Sequence, residues 1–181
     1  SEDVYPAYQA AVAYGLTGDL SRKITLLNQI VRGNPTAKLY PQSLYELGRS
    51  YVQTGKGSRA EECFYTLLAC NDSSYYEKTL LELAMLSTNN RKYDAAIEYY
   101  KTIVSERPQS REAQDAISGL ESVYQTLNRP EDFLAYIDMM GLSYLKSADE
   151  KETMIFEIKS TNADFLTKLS GNNSCIASYT C

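Results

Sequence analysis

Apolar residues recur along this chain at the three- and four-residue spacing of amphipathic helices. Between residues 80 and 104, the apolar residues that follow this spacing are Leu80, Leu83, Ala84, Leu86, Tyr93, Ala96, Ile97, Tyr100, Ile103 and Val104. The polar segment Asn89-Asn90-Arg91 interrupts them. This pattern predicts a helix, a short turn and a second helix. Alternating runs of β-branched residues, which would predict strands, are missing from the sequence. We therefore expect an all-α fold.

The predicted helix pair recurs along the chain. Leu44–Tyr51 aligns with Leu80–Ser87 at an offset of 36 residues, and Phe64 aligns with Tyr100 at the same offset. Extending this register by 37 residues in each direction divides the chain into four repeats, near residues 4–40, 41–76, 77–113 and 114–145. Turn-forming residues lie at the same internal point of three repeats: Gly18-Asp19, Gly55-Lys56-Gly57 and Asn128-Arg129-Pro130. Such a period is typical of helical repeat proteins.

Small residues at repeated positions indicate where the two helices of a repeat approach each other. Gly48 and Ala84 in the first helices are predicted to face Ala60 and Ala96 in the second helices. Without side-chain bulk, the two axes can reach the near end of their usual separation of about 8–10 Å. The aromatic rings of Phe64 and Tyr100 are then expected to fill the wider gap toward the next repeat.

These positions resemble the tetratricopeptide repeat family, whose pattern has Leu-Gly and Tyr in the first helix, then Ala, an aromatic residue and a terminal Pro in the second. The matching residues are Leu47-Gly48, Tyr51, Ala60, Phe64, Ala96, Tyr100 and Pro108. The resemblance covers residues 4–145 and weakens in the end repeats, where Lys23 and Phe133 replace Ala and Glu121 replaces Gly or Ala. It implies a right-handed α-solenoid of about four helix-turn-helix repeats.

The sequence changes character after the fourth repeat. Ser147, followed three residues later by Glu150, predicts a capping box at a helix N-terminus. An intermittent helical stripe follows, made of Met154, Ile155, Ile158, Phe165, Leu166 and Leu169. We expect the repeat array to span residues 1–145, a C-terminal capping helix to cover 146–171, and a flexible tail to occupy 172–181.

Composition limits the chemistry that this chain can perform. Its 18 Lys and Arg residues against 23 Asp and Glu residues give a net charge of −5, without a basic run that would bind phosphate. Histidine, the commonest general base and metal ligand, is absent from the sequence. We predict no nucleic-acid partner, no membrane insertion, no metal or cofactor, and no enzymatic activity. The acidic pairs Glu61-Glu62 and Asp149-Glu150 are interpreted as solvent-facing helix surface.

The four cysteines, Cys63, Cys70, Cys175 and Cys181, allow three pairings in principle. Cys63 and Cys70 are seven residues apart, which is about 10.5 Å along a helix and beyond the Cα separation of about 7 Å that a disulfide can bridge. Cys175 and Cys181 lie in the predicted tail and could pair. Because no CxxC spacing occurs, we expect structural or free thiols and no zinc site.

Ligands of the resembling family usually bind along a concave face that the first helices line. The register places on this face the residues that we predict to contact a partner: Tyr5, Tyr8, Val12, Tyr45, Arg49, Leu81 and Met85. Aromatic and Arg side chains often anchor interfaces, and Met adapts to irregular partners. The alternative is that these side chains contact the tail or a neighbouring helix. Only Arg49 and Lys78 are basic there, so no clamp for a C-terminal carboxylate is predicted.

Two functions remain open from the sequence. The first is a scaffold that holds a partner's peptide or protein segment in the groove, and the second is an architectural segment that stacks on further repeats or on a copy of itself. The chain resembles envelope-associated tetratricopeptide proteins of Bacteroidetes in the sequence of Leu44–Tyr51, in its long repeat and in its 16 tyrosines. Those proteins are similar to the Tol-Pal cell-division coordinator and to outer-membrane assembly lipoproteins. This resemblance implies the periplasm or cell envelope as location, with the cytoplasm as the alternative.

Overall fold

The computed structural model describes residues 4–33, 38–70, 72–157, 159–160 and 167 of this 181-residue chain. These residues form helices and connecting turns, and no strand occurs among them, which confirms the predicted all-α class. The helices are α1 (Tyr5–Leu16), α2 (Leu20–Gly33), α3 (Tyr40–Gln53), α4 (Gly57–Ala69), α5 (Tyr76–Asn89), α6 (Tyr93–Glu106), α7 (Arg111–Thr126) and α8 (Pro130–Met139). A 3-10 turn covers Ser143–Leu145, and a further helix, α9, covers residues 148–157.

The turn inside each helix pair has a residue in the left-handed backbone region. Gly18 and Gly55 have φ values of +80° and +70°, and Arg91 and Asn128 have φ values of 58° and 56° at the corresponding points of the later pairs. After each of these residues, the next backbone N–H donates to a carbonyl five residues earlier and so closes the first helix of the pair. The turn signals in the sequence therefore mark the observed turns.

The chain divides into two compact units, residues 1–119 and 120–181, with the boundary inside α7. In the first compact unit, each helix from α1 to α6 packs against the next, and their apolar faces form a shared core. Buried members of this core include Tyr8, Ala11, Leu27, Ile30, Leu44, Leu47, Tyr51, Ala60, Cys63, Phe64, Leu67, Leu83 and Leu86.

Gly48 allows α3 and α4 to approach closely. A β-carbon at Gly48 would lie 2.6 Å from Phe64 Cε1, and the Phe64 ring is fully buried. The close approach predicted at Gly48 is therefore present, but its partner is the Phe64 ring of the same repeat, where the sequence pattern indicated Ala60. Gly119 of α7 lies similarly close to the ring of Tyr100 in α6, so this ring faces the next repeat. In both places the glycine leaves room for an aromatic ring.

The second compact unit contains α8, the 3-10 turn and α9. Ser147 and Glu150 form the predicted capping box, in which the Ser147 N–H donates to Glu150 Oε2 at 2.7 Å and the Glu150 N–H donates to Ser147 Oγ at 3.2 Å. Lys151 Nζ lies 3.3 Å from Asp138 Oδ1, which connects α9 to α8, and Met154 of α9 is buried.

Part of the predicted C-terminal region lies outside the described residues. It comprises Ile158, Phe165, Leu166 and Leu169 of the apolar stripe, Cys175, Cys181 and the predicted tail at 172–181. Within the residues that the structure does describe, every helix is too short or too polar to cross a bilayer.

Candidate functional site

The first helices of successive pairs, α1, α3 and α5, lie side by side in the first compact unit and share one face. Tyr8 of α1 is hydrogen-bonded to Gln42 of α3, and Tyr45 Oη of α3 donates to Glu82 Oε1 of α5 at 3.3 Å. We call this the first-helix face and define it by Tyr5, Tyr8, Val12, Tyr45, Glu46, Arg49, Leu81, Glu82 and Met85. All the residues predicted from the sequence to bind a partner belong to it.

The predicted residues differ in how far solvent reaches them. Tyr5 is 53% exposed, Val12 is 37% exposed and Met85 is 49% exposed, and the Arg49 side chain is 46% exposed. Leu81 is half-buried. These exposed side chains come from all three helices, so a partner that lies across the face can reach each helix.

Tyr8 and Tyr45 lie deeper than the sequence indicated. Tyr8 is only 9% exposed and belongs to the core. The Tyr45 ring packs against the rings of Phe64 and Tyr75, with centroids 6.3 and 5.4 Å apart. Burial raises the pKa of Tyr45 to about 12, so its hydroxyl stays protonated and donates to Glu82. Tyr45 therefore contacts α4 and the segment before α5, as in the alternative that the sequence left open.

An ion pair fixes the border between the first and second helix pairs. Lys23 Nζ of α2 lies 2.7 Å from Glu46 Oε2 of α3, and both side chains are largely shielded from solvent. Lys23 stands where the repeat pattern has Ala, and its aliphatic stem lies against Gly15, where a β-carbon would come 3.0 Å from Lys23 Cδ. The departure from the pattern therefore supplies a cation for the first-helix face.

A second carboxylate, Glu82, joins α5 to α3. Its Oε1 accepts the Tyr45 hydroxyl and lies 3.2 Å from Arg49 Nε, while the Arg49 guanidinium carbon lies 5.8 Å from the Tyr45 ring centroid. Burial raises the pKa of Glu82, and Arg49 and the Tyr45 hydroxyl oppose this effect only in part. Tyr45, Arg49 and Glu82 thus form one fixed cluster.

Sequence reasoning missed Glu46, Glu82 and Lys23 as members of this face. A signal was present, because Glu46 and Glu82 stand at the repeat offset of 36 residues, each between residues of the packing stripe. A charged residue repeated beside core leucines indicates a position with a dedicated partner. The partners themselves come from different helices, so the spacing alone did not identify them.

The cysteines and the acidic pairs singled out from the sequence have different surroundings in the described part of the chain. Cys63 is a buried free thiol whose pKa burial raises to about 11, and Cys70 is an exposed free thiol. Among the described residues, no group of Cys, Asp and Glu side chains is placed to hold a metal ion. Glu61 of the first acidic pair lies 3.6 Å from Lys92 Nζ, and Glu150 of the second forms the capping box.

Comparison with known proteins identifies the repeat in the third helix pair. Residues 77–110 match the sequence model of the tetratricopeptide repeat. This range covers α5 from its second residue onward and the whole of α6. No curated protein matches this chain in sequence.

Solved structures with the same fold come from several sources. A tetratricopeptide repeat protein from Parabacteroides merdae has a TM-score of 0.72 at 18% identity, over 89% of this chain and 62% of that one. MamA of AMB-1 has a TM-score of 0.62 at 22% identity, over 81% and 76% of the two chains. A structure of nearly identical TPR-like repeats from Podosopora anserina has a TM-score of 0.65 at 14% identity, over 99% of each chain.

These similarities establish a tetratricopeptide-like fold for this chain, as the sequence pattern predicted. Proteins of this fold generally mediate protein–protein interactions, and they are generally non-catalytic scaffolds. The matches support the repeat in residues 77–110 and the fold of the chain. The resemblance to envelope-associated proteins of Bacteroidetes stays a prediction.

Proposed function

We propose that this chain is a non-catalytic scaffold whose first-helix face binds a segment of a partner protein. The observation that carries this proposal is the set of exposed side chains Tyr5, Val12, Arg49 and Met85 on one face of three adjacent helices. Aromatic residues, Met and Arg are the types that are enriched in protein interfaces, and Met fits irregular apolar partners. The partner segment would place apolar side chains on α1 and α5 and polar groups near Arg49.

The buried part of the face favours binding without large rearrangement. Arg49 contacts the Glu82 carboxylate and the Tyr45 ring, and the Lys23–Glu46 ion pair connects α2 to α3. Arg49 uses Nε for Glu82, and its half-exposed guanidinium has further N–H donors for a carbonyl or carboxylate of the partner. A face that is already ordered loses less conformational entropy on binding.

Site-specific photo-crosslinking tests this proposal. In cells of the source organism, a photo-reactive amino acid in place of Met85 should yield an adduct with a defined protein. The same amino acid in place of Glu98, an exposed residue of α6, serves as the matched control and should not yield it. Val12→Lys should remove the adduct while leaving thermal unfolding unchanged, because Val12 is exposed. Identical adducts from both positions, or an adduct that survives Val12→Lys, would contradict the proposal.

We also propose that the scaffold acts in assembly or maintenance of a bacterial cell envelope, from the periplasm. The support is the resemblance of the stretch Leu44–Tyr51 and of the long repeat to envelope-associated proteins. Fractionation of cells that express the full gene with an epitope tag tests the location. Release with the periplasmic fraction is the expected result, and recovery in the cytosol would support the alternative location.

The outer surface of α1 supports a second function, stacking on another helix pair. Leu47 and Ser50 of α3 are buried, whereas their equivalents in α1, Ala10 and Ala13, are half-buried and exposed. α1 has no charged residue. This surface would fit a second copy of the chain or a further repeat.

Sedimentation velocity over a range of concentrations tests self-stacking. The unmodified chain should associate as concentration rises, and Ala13→Arg should keep it monomeric, because a buried unpaired charge at the contact is costly. A chain that stays monomeric throughout would rule out stacking on its own copies.

A further inference from the structure

A cleft of about 560 Å³ lies between α2 and α4, on a different side of α3 from the first-helix face. Its floor is formed by the apolar and aromatic side chains of α3, and its walls are formed by α2 and α4. The lining residues are Asn28, Val31, Arg32, Tyr40, Leu44, Leu47, Tyr51, Arg59, Glu62, Cys63 and Thr66. This volume lies within the range of about 300–1,000 Å³ that is typical of ligand sites.

Two tyrosines occupy the equivalent place one repeat further along the chain, between α4 and α6. At the repeat offsets of 37 and 36 residues, Asn28 and Cys63 correspond to Tyr65 and Tyr99. The hydroxyls of Tyr65 and Tyr99 lie 3.1 Å apart and connect α4 to α6. Two tyrosine side chains therefore bridge α4 and α6, the second helices of the second and third pairs, whereas an amide and a thiol stand at the same positions between α2 and α4. The smaller side chains leave the cleft open.

The residues at the rim of the cleft also differ from their equivalents in the next repeat. Arg32 and Arg59 correspond to Ala69 and Ala95 at the repeat offsets, so two cations stand where the next pair has methyl groups. Both arginines are exposed, and neither forms an ion pair with any described residue. Glu62 is the acidic residue of the lining, which leaves the cleft with an excess of one positive charge in a chain of net charge −5.

Two contacts order the floor of the cleft. Asn28 Nδ2 donates to Tyr51 Oη at 2.9 Å, and the Arg59 guanidinium carbon lies 5.7 Å from the Tyr51 ring centroid. Tyr51 is almost completely buried, so these contacts hold its ring in place beneath the Arg59 guanidinium. The exposed guanidinium of Arg59 can in turn pack on the face of a partner's aromatic ring.

We propose that this cleft binds an aromatic side chain of a partner protein that is flanked by acidic residues. The ring takes the place that the Tyr65–Tyr99 pair occupies between α4 and α6, and the acidic neighbours pair with Arg32 and Arg59. This site is separate from the first-helix face, since Tyr51 and Leu47 point to a different side of α3 from Tyr45 and Arg49.

Titration of the full chain with short peptides, followed by amide chemical shifts, tests the proposal. The probe is the capped pentapeptide Gly-Asp-Tyr-Asp-Gly. Gly-Lys-Tyr-Lys-Gly controls for the charge, Gly-Asp-Ala-Asp-Gly controls for the ring, and free 4-hydroxyphenylacetate controls for the peptide. The first peptide should shift the amides of Asn28 and Arg59 and bind at least about tenfold more tightly than each control, because each control lacks one of the recognised groups.

Two variants separate the contributions of the cavity and of its charge. Asn28→Tyr with Cys63→Tyr installs the tyrosine pair of the next repeat and should abolish binding. Arg32→Ala with Arg59→Ala removes the two exposed cations, should keep the chain folded, and should weaken binding at least about tenfold. If the tyrosine variant unfolds, the arginine variant still decides the test.

Several results would overturn the proposal. They are the absence of shifts at millimolar peptide, equal affinity for the Asp and Lys peptides, and binding that survives loss of both arginines. Equal affinity for 4-hydroxyphenylacetate would make the cleft a small-molecule site instead. Shifts confined to the amides of Arg49 and Met85 would place the peptide on the first-helix face, which would support the proposed function and overturn this inference.

Discussion

Gly48 and Phe64 show how closely single side chains are fitted in this molecule. Because a β-carbon at Gly48 would lie 2.6 Å from a ring atom of a fully buried Phe64, the ring cannot move aside without disturbing the core. Gly48→Ala should therefore lower the free energy of unfolding by about 1–3 kcal/mol, measured by urea unfolding.

Gly57→Ala is the matched control for this substitution. Gly57 begins α4 and has no atom within 4 Å of the position of a β-carbon, so this variant should be neutral or slightly stabilising. Equal losses at Gly48 and Gly57 would show that overpacking against Phe64 is not the cause.

Glu82 should make stability depend on pH in a direction opposite to that of a simple ion pair. Its pKa in the folded chain is raised, first by burial, so protonation of Glu82 favours the folded state. The stability that protonated Glu82 contributes is fully present below the pKa that Glu82 has in the unfolded chain. It is lost as pH rises through the higher pKa that Glu82 has in the folded chain.

Glu82→Gln, which cannot titrate at this position, isolates the contribution of the carboxyl group. As pH falls from 7 toward about 4, the unfolding free energy of the unmodified chain should rise relative to that of Glu82→Gln. The other carboxylates titrate in both proteins and cancel in the difference. A relative fall over the same range would mean that attraction to Arg49 outweighs burial.

The connecting turns show the same backbone requirement met by different residues. Gly18 and Gly55 adopt positive φ without a side chain, whereas Arg91 adopts φ 58° with one. A β-carbon in this region costs roughly 1 kcal/mol. Arg91 is exposed, so its side chain contributes little packing in return.

Arg91→Gly should therefore raise the free energy of unfolding by up to about 1 kcal/mol, and Gly55→Ala should lower it by about the same amount. Thermal melts of the two variants measure both effects at equivalent positions of neighbouring helix pairs. Stabilisation by Gly55→Ala would show that the left-handed conformation does not decide the stability of this turn.

Helix existence and helix ends could be predicted from sequence because both are local properties. The apolar spacing of Leu80, Leu83 and Ala84 predicted α5, and the Ser147–Glu150 pair predicted the start of α9. Each signal lies within a few residues of the structure that it predicts. Contacts between distant residues, such as Lys23 with Glu46, leave no such signal.

On the scale of the first compact unit, α1 should be less protected from amide exchange than α3. It buries Tyr8 and Ala11, whereas α3 buries six residues, because α3 has a helix pair on each side. In helical repeats, stability comes largely from contacts between neighbouring repeats.

Amide hydrogen exchange followed by mass spectrometry tests this difference. Amides of α1 should exchange at least about tenfold faster than those of α3 under native conditions. Equal protection in a dilute monomeric sample would show that the outer surface of α1 is covered.

The sequence by itself determined the helix pairs, their period and the turns between them, because spacing and turn chemistry act between near neighbours. Tertiary structure decided which side chains remain free to bind. Tyr45 and Val12 both lie beside the packing stripe in sequence, yet Phe64 and Tyr75 enclose Tyr45 while Val12 remains exposed. The cleft beside Tyr51 is likewise lined by residues of α2, α3 and α4, which come from two different repeats. Burial depends on which distant residues meet, and only the packed chain brings them together.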